Sequence, residues 1–327
     1  MSDSPNGVVL LCPGQGAQQV GMGKGWADSC PAAAPTFGAG DEALAGLSAL
    51  DGHSLSELCF EGPIERLGRT DVSQPALFAC AVASWQAMLE RMPPTRIVAA
   101  AGLSLGEYTA LHLAGAFSFV DGLRLVALRG RLMQEAAEAS RGSMVALIGA
   151  DESQAEEICR EAAGDGVLVC ANFNAPGQIV LSGDLEACGR AVEVASAKGV
   201  RATALQVAGA FHSPLMQPAA DGLAEALEQV EIAPLRVPVW SNVTARPHEA
   251  DNPQLLRKRL VEQLVSPVRW SQSCSDLLAN LAGDSKPDLH ELAPGSVLRG
   301  LMRRIDRSFE VTSHDQPPAP TGASASA

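Results

Sequence analysis

A serine framed by glycines, Gly102-Leu103-Ser104-Leu105-Gly106, follows the apolar run Ile97-Val98-Ala99-Ala100-Ala101 and opens a helix-like stretch over 107–116. A strand that turns sharply into a helix at a serine lifts the hydroxyl clear of the backbone and aims a helix N-terminus at whatever the hydroxyl attacks. That is a nucleophile's setting, and the glycines suit a turn where strand and helix backbones come close. The same pattern also fits a serine that only caps the helix. A nucleophilic serine needs a base, and six histidines are present. His53 and His248 sit among turn residues, His314 in the tail, His112 in the helix after the serine and His290 in a short strand-like run. His212 differs: it stands in Ala210-Phe211-His212-Ser213-Pro214-Leu215-Met216, after a strand-like run and a glycine-containing turn. Loop positions held by rigid elements are where catalytic side chains concentrate; a histidine making capping contacts at a helix start is the plainer alternative. No carboxylate is marked out as the third group that would orient this base.

A second loop could serve the same chemistry. The apolar strand over 7–12 breaks at Pro13-Gly14-Gln15-Gly16-Ala17-Gln18-Gln19. The spacing refuses a dinucleotide fingerprint, because Gln19 stands where the third glycine should be, and Gly25 after Gly23-Lys24 refuses a phosphate loop. What remains is a turn with exposed backbone N–H groups, able to hold a developing oxyanion or to act as a plain strand-to-helix connection.

These residues need a scaffold, and composition bounds it. A chain of 327 residues, 46% hydrophobic, can bury a large core and suggests one large domain with a smaller companion. Aromatic residues make up only 4%, against 31 glycines, which suits tightly packed α/β layers. The net charge of −13 argues against nucleic acid or an anionic membrane as the main partner, so any anionic ligand must meet a local basic site. The eight cysteines form no CxxC pair and read as reduced, buried residues of a cytosolic protein, with no zinc site or other metal. Neither a signal peptide nor a membrane span is evident, and a soluble cytoplasmic monomer is expected.

Along the chain, a helix is expected from about Gln74 to Glu90, then the Met92-Pro93-Pro94 break and the strand before Ser104. From Ser143 to Val207 the order reads strand (144–149), helix (153–163), strand (167–171), strand (178–181), helix (185–198), strand (202–207). This is the ferredoxin-like order. It lies between Ser104 and His212, which suggests a site in the cleft between two lobes. After His212 come a helix to about Val230, a strand at 237–240, helices at 253–264 and 274–281, a strand at 289–292 and a last helix through Arg304. The segment 314–327 reads as a disordered tail.

Taken together, seven blocks resemble the malonyl-CoA:acyl carrier protein transacylases, in that family's order and over nearly the whole chain. They are Gly14-Gln15-Gly16-Ala17-Gln18, Ser73-Gln74-Pro75-Ala76-Leu77, Gly102-Leu103-Ser104-Leu105-Gly106-Glu107-Tyr108, Arg129-Gly130-Arg131-Leu132-Met133, Ala171-Asn172-Phe173-Asn174, Gly209-Ala210-Phe211-His212-Ser213 and Gln263-Leu264-Val265-Ser266-Pro267-Val268. The resemblance implies an α/β fold: an α/β-hydrolase-like large subdomain (1–140 and 209–313) with an inserted ferredoxin-like small one (141–208).

It also implies roles. Ser104 would attack the thioester of malonyl-CoA with His212 as base, and the thiol of carrier-protein phosphopantetheine would then take the malonyl group, with no cofactor. The backbone N–H groups of Gln15 and Leu105 would receive the oxyanion. Arg129, which composition alone would leave as a surface charge in the helix-like run 123–133, would clamp the malonyl carboxylate. Phe211, bulky beside the base, would favour malonyl over methylmalonyl, and a backbone carbonyl near Gln263 would orient His212 in place of an Asp. Leu103 departs from the family, many of whose members carry His there. Asn172 and Asn174 match a block without an assigned role and read alone as turn formers.

Three basic clusters could meet anionic partners: Arg257-Lys258-Arg259, Arg303-Arg304, and Lys198 with Arg201. Each also fits a solvated helix face. Besides the transacylase, a serine thioesterase or hydrolase on the same turn, a non-catalytic acyl-binding subunit and a polyketide-pathway acyltransferase are the alternatives.

Overall fold

The computed structural model describes residues 7–91, 96–281 and 287–318. The Met92-Pro93-Pro94 break and residues 319–327 of the expected tail lie outside the described residues. Two sheets organise the chain. The first is parallel, in the order β7-β2-β1-β8-β9, from β1 (Val8–Cys12), β2 (Ile97–Gly102), β7 (Val239–Trp240), β8 (Asp288–Glu291) and β9 (Val311–Ser313). The second is antiparallel, in the order β4-β5-β3-β6, from β3 (Gly142–Ile148), β4 (Leu168–Ala175), β5 (Gln178–Asp184) and β6 (Arg201–Ala204).

Alternation explains why the central strand reads as a continuous apolar run. Val8, Leu10 and Cys12 enter one core, and Val9 and Leu11 enter the core on the opposite face. In β3, Val145 and Leu147 join a separate core under the helices Glu152–Ala163 and Leu185–Ala197, while Met144 turns toward the large core. The antiparallel sheet therefore lays one face on its own helices and the other toward the serine turn. Backbone bonds from Phe173 N to Val268 O (2.9 Å) and from Val268 N to Ala171 O (2.8 Å) stitch it to the rest.

Several expectations shift. The helix expected from Gln74 begins at Thr70 and runs to Arg91, with Pro75 inside it. Packing carries the extra turn, because Gly130 of the helix Phe119–Ala139 lets it close on the Thr70 carbonyl, where a Cβ would collide. The short strand β9 has no counterpart in the sequence reading. The start of the tail, at His314 and Asp315, is corrected as well: His314 N bonds Glu291 O (2.9 Å), and Asp315 accepts from Gly295 N (2.6 Å) and Gln19 Nε2 (3.0 Å). A charged side chain with two donors in reach anchors a segment whose composition alone argued for disorder. All eight cysteines are free and buried. Among the described residues no helix is long and apolar enough to cross a membrane.

Candidate active site

Ser104 sits at the junction of β2 and the helix Leu105–Leu113 with φ 53° and ψ −102°, a strained geometry for a residue with a side chain. The glycines make this turn possible: a Cβ on Gly102 would meet Gly106, and one on Gly106 would meet the Cys12 carbonyl. Ser104 occupies the N-cap position, yet its hydroxyl caps nothing. Instead Ser104 Oγ lies 2.8 Å from His212 Nε2, which sets the capping alternative aside. His212 also holds a positive φ, 57°, and the capping in its loop is done by its neighbour, Ser213 Oγ accepting from Leu215 N.

His212 Nδ1 lies 2.7 Å from the main-chain carbonyl of Gln263. A carbonyl only accepts, so Nδ1 carries the hydrogen and Nε2 is left bare to take the serine proton. Burial, and then the nearby Arg129 charge, pull the imidazole down to about 4, against the opposite influence of the Gln263 carbonyl. The histidine is thus neutral at physiological pH.

Arg129 is no surface charge. It is 1% exposed, stacks 5.1 Å over the Tyr108 ring and spends its fork on polar groups: Nη1 donates to Gln74 Oε1 (2.6 Å), and Nη2 donates to Gln263 Oε1 (2.9 Å) and Ser104 Oγ (3.1 Å). Burial lowers its proton affinity, but a guanidinium keeps its charge in proteins. A positive fork therefore touches the nucleophilic oxygen from one side while the base touches it from the other.

The loop over 13–16 is drawn onto the same turn. Leu103 N donates to Cys12 O (3.1 Å), and Gly14 packs so closely on the Leu103 carbonyl that a Cβ would collide. Leu105 is the first residue of its helix, so its N–H has no acceptor within the helix. Gln15 Nε2 is tied to Thr70 Oγ1 (3.3 Å). Ser104, His212, Phe211, Gln15, Asn172 and Asn174 all line one cavity of about 320 Å³ between the two sheets. Asn172 and Asn174 belong to β4, so the turn-forming reading does not hold.

Several polar residues that the sequence did not single out complete the site. Asn242 Oδ1 accepts from Ser104 N (2.6 Å), and its Nδ2 donates to Gly102 O (2.8 Å). Glu107 bonds Gln263, Asn242 and His248. His248 follows the turn over 242–246, as its neighbours imply, but its side chain is buried. The available signal was Glu107 itself, the single acidic residue of the helix Leu105–Leu113.

The basic clusters separate. Arg257 donates to Leu227 O (2.8 Å) and Val230 O (2.7 Å), Arg259 to Glu262 (2.6 Å), and Lys198 to Glu161 (2.8 Å), so these charges serve the fold. Arg303 and Arg304 are exposed, with Arg304 Nη1 reaching Gln178 Oε1 (3.4 Å) at the cavity rim. No metal-holding cluster of His, Cys, Asp or Glu occurs among the described residues.

A parallel sheet whose strand β2 hands a strained serine to a buried histidine defines an acyl-transfer site, and comparison narrows the class. Residues 9–299 match the acyl transferase domain family. The malonyl CoA-acyl carrier protein transacylase of Bacillus subtilis is 39% identical over 95% of this chain and 94% of its own length. A malonyl CoA-acyl carrier protein transacylase from Coxiella burnetii superposes with a TM-score of 0.88 at 36% identity, covering 95% of each chain. A malonyl-transacylase in complex with a type II PKS acyl-carrier protein superposes at 0.87 with 36% identity, over 95% of this chain and 96% of that one. The chain belongs to the acyl transferase family, among its malonyl-CoA-acyl carrier protein transacylases.

Proposed function

We propose that this protein moves a malonyl group from malonyl-CoA to the phosphopantetheine thiol of an acyl carrier protein through a malonyl ester on Ser104. His212 Nε2 takes the Ser104 proton as Oγ adds to the thioester carbonyl. The tetrahedral intermediate places its oxyanion on the N–H groups of Gln15 and Leu105 and collapses, expelling the CoA thiolate, which is protonated from His212. In the second half the carrier thiol gives its proton to His212 and attacks the ester, and Ser104 leaves as the alcohol after taking that proton back. No cofactor enters either half.

The observation that carries this reading is the buried Arg129 fork at the nucleophile, 3.1 Å from Ser104 Oγ. A carboxylate on the acyl group can pair with that guanidinium; an acetyl group has nothing to offer it. A thioesterase for uncharged acyl groups would bury this charge without use. Phe211, 6% exposed beside the base, leaves little room for the extra methyl of methylmalonyl. The partners are malonyl-CoA and acyl carrier protein, with exposed Arg304, bonded to Gln178 at the cavity rim, and its neighbour Arg303 as the basic site for an anionic one. Fatty acid synthesis in the cytoplasm, by a monomer, is the setting proposed; the likeness to a malonyl-transacylase of a type II PKS carrier makes a polyketide pathway the second reading.

In domain terms, we read 1–140 with 209–313 as an α/β-hydrolase-like subdomain and 141–208 as a ferredoxin-like one. The strand order β4-β5-β3-β6 and its separate apolar core support this division.

The test is intact mass after malonyl-CoA and then phosphopantetheinylated carrier protein, with Ser104→Ala and Arg129→Ala alongside. A malonyl adduct that requires Ser104 and passes to the carrier is the expected result. An adduct that only water removes would make the protein a hydrolase.

A further inference from the structure

Behind the serine and histidine lies a layer of buried polar groups that the transfer steps do not use. Glu107, fully buried in the helix Leu105–Leu113, accepts three hydrogen bonds: at Oε1 from His248 Nε2 (2.7 Å), and at Oε2 from Gln263 Nε2 (2.6 Å) and Asn242 N (3.1 Å). A carboxylate is costly to bury unless it is bonded this fully.

The arrangement has a directional consequence. The Gln263 side chain ends in two groups of nearly the same shape, one accepting and one donating. Arg129 only donates and Glu107 only accepts. Just one orientation of the amide suits both, with Oε1 on Arg129 Nη2 (2.9 Å) and Nε2 on Glu107 and the Ser104 carbonyl (3.1 Å). A flipped amide would set its NH₂ against the guanidinium, two donors face to face, and its oxygen against the carboxylate and the Ser104 carbonyl, so losing the carboxylate weakens the preference for the observed orientation. The nitrogen that Gln263 Oε1 holds is the same Nη2 that reaches Ser104 Oγ, and Gln74 Oε1 holds Nη1. Amide oxygens therefore aim both outer nitrogens of the fork, and Glu107, at the shorter distance, joins the Ser104 carbonyl in holding the donor end of one amide away from it.

We propose that Glu107, held by His248, is a positioning residue for acyl-group selection: it locks the Gln263 amide so that Arg129 presents its fork to a carboxylated acyl group on Ser104. This rests on the transacylase reading of the site. Gln263 also supplies the carbonyl that orients His212, so loosening it disturbs the base too. The two effects separate by substrate: His212 acts on every acyl group alike, whereas Arg129 favours only a carboxylated one.

The experiment is single-turnover acylation by malonyl-CoA and by acetyl-CoA, read by intact mass, in the wild type, Glu107→Gln, His248→Leu and His248→Gln, with melting midpoints recorded. Glu107→Gln should slow malonyl acylation at least about tenfold more than acetyl acylation, as expected when hydrogen bonding to a charged group is lost. His248→Leu should shift the ratio in the same direction, and His248→Gln, which keeps an N–H donor for Glu107, should restore most of it. If Glu107→Gln does not fold, the two His248 variants decide. An unchanged malonyl-to-acetyl ratio in folded variants, with the wild type acylated, overturns this role and leaves the network structural. A wild type that accepts no malonyl group overturns the reading of the site itself and the inference with it.

Discussion

His212 Nδ1 is oriented by the backbone carbonyl of Gln263, 2.7 Å away, and not by a carboxylate. A neutral acceptor holds the tautomer without adding a negative charge beside the ring, so its upward pull is outweighed by burial and the Arg129 charge that depress the imidazole. Acylation of Ser104 should therefore keep its rate well into the acid range and fall only as pH drops through about 4, where Nε2 becomes protonated. In Arg129→Ala the repelling charge is gone, and the acid limb should move upward toward the ordinary histidine range. Single-turnover rates across pH check both, and an acid limb already near 6.5 in the wild type would remove the depressed base.

The same depression has a stability consequence of fixed sign. The folded value, about 4, lies below the unfolded value near 6.5, so between them the unfolded chain binds the extra proton. Stability from this group is complete above 6.5 and is lost as pH falls toward 4. His314, pulled down to about 4 by burial and then by His290, adds a contribution of the same sign over the same window. Melting temperatures should drop between pH 7 and pH 4.5, and His314→Gln should flatten part of that drop.

Gly14 allows the loop over 13–16 to lie against the serine turn. Gly14→Ala would force its Cβ away from the Leu103 carbonyl and carry the Gln15 N–H off the oxyanion position. Losing one such donor lowers the rate about a hundredfold or more. Acylation by malonyl-CoA should fall by that order in a variant still folded by circular dichroism; an unchanged rate would take this loop out of the oxyanion site.

Phe211 lines the cavity beside His212. Replacing it with serine opens space where a branching methyl would sit, and one methylene in such a pocket is worth roughly tenfold or more in discrimination. Phe211→Ser should narrow the malonyl-to-methylmalonyl ratio by about that factor in competition assays. A ratio that does not move would place the methyl elsewhere.

What the sequence made legible was local. The serine turn is written in adjacent residues: an apolar strand, two glycines whose missing Cβ atoms the turn requires, and a helix start. The βαββαβ run from 142 to 204 is likewise carried by alternation and helical spacing, with ends off by a few residues, as at Leu168–Ala175. The carbonyl that orients His212 had no residue-type signal, because every residue carries one; only the family resemblance placed it near Gln263. Glu107, Asn242 and His248 bond across 135 or more positions, and each has an ordinary surface reading alone. Asn172 and Asn174 look like turn residues until β4 is seen paired with β5 on one side and bridged to Val268 on the other.

The segment after β9 reads as disordered by composition, yet Asp315 ties it to the site. One carboxylate oxygen, Oδ1, accepts from Gly295 N at 2.6 Å and Gln19 Nε2 at 3.0 Å. Gly295 immediately precedes Ser296, the N-cap of the helix Val297–Ile305, whose Val297, Leu298 and Leu301 line the cavity. Gln19 closes the glycine-rich loop that carries Gln15. Trp26 Nε1 adds a further bond to the His314 carbonyl (3.0 Å). The segment thus fastens two walls of the cavity to each other from outside. Asp315→Ala removes both carboxylate bonds and should lower unfolding stability by about 1.5–3 kcal/mol, the range for hydrogen bonds to a charged group. Urea denaturation at pH 7 measures this directly, and Asp315→Asn, which keeps an oxygen acceptor without the charge, should fall between the two. If Asp315→Ala unfolds at the same urea midpoint as the wild type, these bonds contribute no net stability.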